Sequence, residues 1–132
     1  MAIKKLQNNF TTPEQSKQLL ELGVPADSAD MHYHQECVRI KYGKEEFEYF
    51  LRYGKPDTNK YSTNIPCWSV GRLIEIYELC SGKIYERKSA RLVKEGNVAV
   101  MKEITIIEDI IGDIVNARLY IYPHMDFSKL EE

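Results

Sequence analysis

Hydrophobic and polar residues recur with a helical period in three segments of the chain. The first segment carries signals at both ends. Thr12 can cap a helix, Pro13 suits the first helical position, and Gln15 stands three residues after the cap. Gly23 takes the place of the left-handed residue after the last turn, and Pro25 follows it. This pattern predicts a first helix from about Pro13 to Leu22.

A second helix is predicted to follow Ser69 and to end at Gly82. Its polar side recurs every three residues, and its apolar side lies opposite. The polar positions are Arg72, Glu75 and Glu78, and the apolar positions are Val70, Leu73, Ile74, Tyr77 and Cys80.

In the stretch from Glu103 to Arg118, the secondary-structure propensity of the residues and the spacing of the polar residues indicate different structures. The many isoleucines of this stretch favour a strand. Its polar residues nevertheless follow spacings of three, one, three, one and three, which is a helical stripe. They are Thr105, Glu108, Asp109, Gly112, Asp113 and Asn116. We therefore expect a third helix here, with its isoleucine and valine side buried.

From Met31 the period changes to two, which predicts strands. Val38, Ile40 and Tyr42 alternate with Cys37, Arg39 and Lys41, and a second alternating run follows Gly43-Lys44. One face of that second run carries Phe47, Tyr49, Leu51 and Tyr53, and the other carries Glu46, Glu48, Phe50 and Arg52. Two alternating runs around a glycine turn indicate a β-hairpin.

Two further segments have weaker signals. Residues 54–66 are mostly polar and contain the breakers Gly54, Pro56 and Pro66, which is typical of a loop. Ile84-Tyr85 and Leu92-Val93 suggest one more strand, and Lys94 to Asn97 suggests a turn. For the whole of Lys83 to Met101, a strand pair and an irregular segment stay open as alternatives.

Together these elements predict an α+β fold. We expect one domain over residues 1–132, with irregular termini at 1–9 and 123–132. The hairpin and one or two further strands form a small antiparallel sheet packed against two or three helices. The apolar sides of helices two and three are expected to cover one face of the hairpin.

Charge and cysteine usage narrow the functional classes. The 132 residues hold 18 Lys and Arg against 20 Asp and Glu, so no basic excess is available for non-specific nucleic-acid binding. No apolar run approaches the ~18 residues of a membrane span, and the first nine residues lack the apolar core of a signal peptide. The three widely spaced cysteines are typical of reduced thiols. We expect a cytoplasmic protein without a membrane partner.

Three stretches of the chain resemble a group of short uncharacterised proteins of gut bacteria, often encoded on prophages or other mobile elements. They run from Phe10 to Met31 (FTTPEQSKQLLELGVPADSADM), from Pro66 to Ile76 (PCWSVGRLIEI) and from Asp126 to Glu132 (DFSKLEE). The resemblance covers about a third of the chain. It implies an accessory protein of a mobile element, and it implies no activity, cofactor or catalytic residue.

His32 and His34, followed by Cys37, form the most metal-like cluster. Residues two apart in a strand share a face, so both imidazoles could reach one zinc ion. A structural zinc site has four ligands, however, and no Cys-x-x-Cys or second histidine pair appears. We therefore predict no bound metal and no cofactor, with a metal site or a small enzyme as the third alternative.

Other candidate catalytic groups have simpler explanations. Cys67 lies near the start of helix two, where a thiol can be activated, but Pro66-Cys67-Trp68 also suggests a packed plug beneath that helix. The carboxylates have the spacing of acid–base partners, yet solvated helix faces produce the same spacing. They are Glu75, Glu78, Asp109 and Asp113. No catalytic residue is predicted.

The best-supported class is a non-catalytic protein that binds another protein or itself. This class is indicated by the high tyrosine content. The chain has nine tyrosines, and several lie on the predicted sheet. The predicted interaction residues are Phe47, Tyr49, Phe50 and Tyr53. The alternative is a small nucleic-acid-binding regulator, suggested by a faint helix–turn–helix pattern over Thr12 to Ala29, where acidic residues replace the usual base-reading side chains.

Overall fold

A computed structural model describes residues 9–57, 64–87, 90–120 and 124–131. Over these residues, three α-helices and two β-hairpins alternate along the chain. The helices are α1 (Pro13–Glu21), α2 (Val70–Ser81) and α3 (Ile106–Tyr120). The strands are β1 (Met31–Lys41), β2 (Lys44–Tyr53), β3 (Ile65–Cys67), β4 (Ala90–Glu95) and β5 (Val98–Glu103). Short 3-10 helices lie at Ala26–Ser28 and Phe127–Glu131.

The predicted ends of α1 are confirmed. The Thr12 hydroxyl accepts from the Gln15 N–H at 3.1 Å, and the Thr12 N–H donates to the Gln15 side chain at 3.0 Å. This reciprocal pair satisfies two of the backbone donors that a helix start leaves free. Gly23 has φ +100°, a left-handed value that ends the helix.

Helix α2 also begins and ends where its residues indicate. The Ser69 hydroxyl accepts from the Arg72 N–H at 3.2 Å, and Gly82 closes the helix with φ +72°. The Asp30 carboxylate in turn accepts from the Ser69 N–H at 2.9 Å. This contact ties the start of β1 to the start of α2.

Helical period outweighs strand propensity in the isoleucine-rich segment. The segment forms α3, whose start is capped by the Thr105 hydroxyl, which accepts from the Glu108 N–H at 3.1 Å. Its buried apolar residues are Ile107, Ile110, Ile111 and Ile114. The third helix is therefore confirmed.

The five strands of the described residues form two separate antiparallel sheets. β1 pairs with β2 along its whole length and with β3 only over Met31 to Tyr33, which gives the order β2-β1-β3. β4 and β5 form a second hairpin around Gly96 and Asn97. For Lys83 to Met101 the sequence leaves a strand pair and an irregular segment as alternatives. The structure has a strand pair in the second half of this segment, where the sequence suggests one strand. The α+β class with a small antiparallel sheet is confirmed.

The core lies among the helices and the base of the first sheet. Trp68 is fully buried, and its indole N–H donates to the Ser28 hydroxyl at 3.0 Å. Buried residues of all three helices pack in one cluster with Trp68. These include Leu19, Leu73, Ile76, Tyr77, Ile107, Ile110 and Ile114.

The expectation that α2 and α3 cover the hairpin is wrong for most of its length. Only the base enters the core: Met31 is buried, and the Tyr33 hydroxyl donates to the Thr11 carbonyl at 2.6 Å. Beyond that base, Ile40 and Phe47 are exposed. The helices bury their apolar sides against one another, so those sides are not available to the outer part of the hairpin.

The end of the chain differs from the irregular terminus that was expected. The Asp126 N–H donates to the Cys80 carbonyl at 2.9 Å, and the Phe127–Glu131 helix follows. Phe127 and Leu130 pack against the core. The expected irregular start at 1–9 lies outside the described residues except for Asn9, whose carbonyl accepts from the Val70 N–H at 3.0 Å.

Candidate interaction surface

One face of the β1–β2 hairpin is apolar and exposed. Cross-strand partners in an antiparallel pair share a face. The register pairs Tyr33 with Leu51, Gln35 with Tyr49 and Ile40 with Glu45, so these residues and Phe47 lie on the same side. We define the apolar hairpin face as Ile40, Phe47, Tyr49, Leu51 and Tyr53. Their exposed fractions are 70%, 50%, 48%, 37% and 90% in that order.

The opposite face of the hairpin is charged. Arg52 forms an ion pair with Glu36, and Arg39 forms one with Glu46. Phe50 lies on this charged face, paired with His34, and is 39% exposed. Three of the four predicted interaction residues therefore share the apolar face, and Phe50 is on the reverse, as the alternation indicates.

A tight turn and a bulge shape the hairpin. Tyr42 and Gly43 both have positive φ, at 54° and 74°, which is typical of the type I′ turn that matches strand twist. The register shifts between Cys37 and Arg39, so the simple alternation expected for this strand is broken at Val38. The bulge brings Ile40 to the side of Phe47.

His32 and His34 make hydrogen bonds within the chain. Nδ1 of His32 lies 2.9 Å from the Gly54 carbonyl oxygen, and Nδ1 of His34 lies 3.2 Å from Oδ1 of Asn64. Nε2 of His34 is 3.5 Å from Glu36. Within the part of the chain that the structure describes, no group of three metal-ligating side chains occurs.

The environment of Cys67 opposes a nucleophilic role. The thiol is fully buried and donates to the Thr11 carbonyl at 3.4 Å. Burial raises the pKa of the Cys67 thiol, whereas a catalytic thiol needs a lowered pKa. The packed-plug interpretation of Pro66-Cys67-Trp68 agrees with the burial of all three residues.

The carboxylates of α3 are not the solvated stripe that their spacing suggested. Asp109 is fully buried and Asp113 is 8% exposed. The Tyr85 hydroxyl donates to Oδ2 of Asp109 at 2.9 Å. On α2, Glu75 is exposed, while Glu78 accepts from the Tyr85 N–H at 2.9 Å. Sequence reasoning missed Tyr85 because its partner lies 24 residues away along the chain.

Three clefts lined by described residues border α3, and all three are small. One of about 230 Å³ is lined by residues that include Arg118 and Phe127, one of about 280 Å³ by residues that include Gln15, and one of about 220 Å³ by residues that include Arg87 and Ile106. Small-molecule sites usually measure about 300–1,000 Å³. The hairpin surface is therefore the stronger candidate site.

Comparison of the chain with protein-family models, curated proteins and solved structures finds no significant match. No helix over the described residues has both the length and the apolar character needed to span a membrane. The functional argument accordingly rests on the geometry of the hairpin.

Proposed function

We propose that this chain is a non-catalytic interaction protein that binds another protein through the apolar hairpin face. The observation that carries the proposal is the row of Phe47, Tyr49 and Leu51 on one side of β2, all exposed. Contiguous apolar patches of this kind are uncommon on monomers and mark interaction sites. Phenylalanine and tyrosine rings also supply much of the binding energy at protein interfaces.

The small number of strands in the outer hairpin supports the same proposal. In the part of the chain that the structure describes, β3 pairs with β1 only as far as Tyr33, so there the outer part of β1–β2 is a two-stranded ribbon. Such a ribbon is marginally stable on its own, because it lacks a layer on which to bury its apolar face. A bound protein supplies that layer.

The charge of the hairpin favours a protein partner over a nucleic acid. Residues 31–53 contain four basic and four acidic side chains, so the segment is neutral overall. Two of the basic residues, Arg39 and Arg52, already form ion pairs with glutamates. A phosphate backbone is bound through a surplus of basic residues, which this surface lacks.

We further propose that the protein acts in the cytoplasm as an accessory protein of a mobile element. The stretches that resemble prophage-encoded proteins support the origin. Cys67 and Cys80 are both free thiols, which suits a reducing compartment.

The test uses a pair of matched variants, Phe47→Ser and Phe50→Ser. A photo-crosslinking residue at Tyr53 recovers the partner from the native host, and the purified partner is then titrated calorimetrically. Phe47→Ser removes a ring from the apolar face, and we expect Kd to rise roughly thirtyfold, the effect of one hot-spot residue. Phe50→Ser alters the charged face and should change Kd less than threefold.

Two results would overturn the proposal. The first is a partner whose affinity is unchanged by Phe47→Ser. The second is a partner that loses affinity equally with both variants. Retention of the helical circular dichroism signal by both variants confirms that the fold is intact.

A further inference from the structure

β2 has a free edge. It is ten residues long, it contains no proline, and the hairpin's bulge lies in β1. In the described parts of the chain, no strand pairs with its outer side. An edge strand with these properties presents unpaired backbone groups to a further strand.

Two contacts establish which backbone groups point outward. Lys41 and Lys44 close the two-residue turn, and such closing residues exchange hydrogen bonds. At the other end, the Gly54 N–H donates to the Asp30 carbonyl at 2.8 Å. In these two contacts the residues on the β2 side are Lys44 and Gly54, which are both even-numbered. The backbone N–H and C=O groups of the even-numbered β2 residues therefore point toward β1. The N–H and C=O groups that point outward belong to Glu45, Phe47, Tyr49, Leu51 and Tyr53.

We propose that a second copy of the chain occupies this edge, with the two β2 strands antiparallel about a two-fold axis at Tyr49. In this register Tyr49 exchanges hydrogen bonds with its own counterpart. Phe47 lies opposite the partner's Leu51, which joins two apolar side chains. Glu46 lies opposite the partner's Arg52, which joins opposite charges. Each of the last two pairs occurs twice by symmetry.

Charge and the length of overlap together select this register over its neighbours. An axis at Glu48 places that carboxylate opposite itself and Lys44 opposite the partner's Arg52, and like charges directly opposite destabilise a sheet. An axis at Phe50 also pairs opposite charges, Glu48 with the partner's Arg52, but it leaves Glu45 and Glu46 beyond the end of the partner strand and so shortens the paired segment. The axis at Tyr49 pairs β2 from Glu45 to Tyr53 without a like-charge contact.

Among the residues that the structure describes, no helix covers β2. Nine of its ten residues are exposed, and Tyr53, at the base of the hairpin, is 90% exposed. The two-fold axis is perpendicular to the sheet, so both apolar hairpin faces lie on the same side of the dimer. This inference concerns the backbone edge, whereas the proposed function concerns the side chains of the apolar face, and the two can fail separately.

Cysteine cross-linking tests the position of the axis. In a Cys37→Ser background, Tyr49→Cys places two thiols in a hydrogen-bonded pair, with Cα atoms ~5.5 Å apart, which suits a disulfide. Leu51→Cys is the matched control, because its two copies lie roughly 13 Å apart, four residues along the strand. We expect mild oxidation to give a covalent dimer with Tyr49→Cys and little with Leu51→Cys. Equal cross-linking of both variants, or of neither, would overturn the proposal.

A charge exchange tests the contacts by sedimentation equilibrium. Glu46→Arg or Arg52→Glu alone places like charges opposite each other, and we expect the dimer Kd to rise about tenfold. The double variant restores opposite charges across the axis and should regain most of the affinity. Since the double variant breaks the internal pairs with Arg39 and Glu36, its recovery cannot come from those pairs. An unmodified chain that is monomeric up to about 1 mM, or a dimer indifferent to the single variants, contradicts the inference.

Discussion

The hydroxyl of Tyr85 donates a 2.9 Å hydrogen bond to Oδ2 of Asp109, a carboxylate that α3 buries completely. The ring of Tyr85 also meets the ring of Tyr77 edge-on, with centroids 5.6 Å apart. Burial, and then the bond to Asp109, raise the pKa of the Tyr85 phenol above its ordinary value. The contact joins the segment after α2 to the first turn of α3, so it holds two helices of the core together.

Replacing Tyr85 by Phe should destabilise the fold. The variant removes a hydrogen bond to a buried charged group, and such losses cost about 1–3 kcal/mol of unfolding free energy. Urea unfolding followed by Trp68 fluorescence measures the change. Tyr120→Phe is the control, because Tyr120 is exposed and should leave the unfolding free energy within about 0.5 kcal/mol. Equal midpoints for the two variants would show that the bond to Asp109 contributes nothing.

Replacing each of two isoleucines by alanine should show that the core and the outer hairpin contribute differently to the free energy of unfolding. Ile110 is fully buried on α3, whereas Ile40 is 70% exposed near the hairpin turn. Ile110→Ala leaves a cavity and should cost about 2–5 kcal/mol of unfolding free energy. Ile40→Ala should change it by less than about 0.5 kcal/mol. Thermal unfolding at low micromolar concentration provides the measurement, and a similar cost for both variants contradicts the fold described above.

Features determined by neighbouring residues were predictable from the sequence. The capping of α1 depends on Thr12 and Gln15, three positions apart, and the end of α2 depends on the left-handed Gly82. The two faces of β2 follow from strict alternation. The composition of the apolar hairpin face, apart from the effect of the bulge, was therefore readable in advance.

Features determined by distant residues were not predictable. The helical spacing places Glu108 and Asp109 in one polar stripe of α3. It does not reveal that Asp109 is the residue that accepts the hydrogen bond of Tyr85. The alternation of β2 likewise does not reveal whether a helix covers Phe47. Burial depends on how elements pack, and here the helices pack mainly on one another. The edge position of β2 among the described strands follows from strand order, which no local pattern encodes.

Alkaline pH should destabilise the protein through its buried thiols. Burial, and then Asp126, raise the pKa of Cys80 from 9.0 to about 11. Between those values the unfolded chain loses the proton that the folded chain keeps, so the unfolding free energy falls as pH rises from about 9 to about 11. Below pH 9 both states are protonated and this contribution is fully present.

Cys80→Ser provides the test of that pH dependence. Urea unfolding is measured at intervals from pH 8 to 11, and the slope of the unfolding free energy against pH is compared with that of the unmodified chain. The variant should have the shallower slope, because serine does not ionise in this range. Part of the slope should remain, since burial also raises the pKa of Cys67. Parallel slopes would assign the alkaline sensitivity to other groups.

The turn of the first hairpin offers a stabilising substitution. Tyr42 has φ 54°, a left-handed conformation that strains most side chains, and its ring is 94% exposed. Asparagine tolerates this conformation and precedes glycine in the most favourable type I′ turns. Tyr42→Asn should stabilise the hairpin locally by about 0.5–1 kcal/mol, although it gives up the contact between Lys41 and the ring.

Global unfolding is a poor measure of this effect, because most of the hairpin lies outside the core. Hydrogen exchange at the Glu46 and Glu48 amides, which face β1, reports local opening of the ribbon. We expect about threefold slower exchange in Tyr42→Asn. Gly43→Ala should act in the opposite direction, since Gly43 has φ 74° and alanine is strained there. If both variants exchange at the same rate as the unmodified chain, the turn does not limit hairpin opening, and the strain assigned to Tyr42 is not relieved by the substitution.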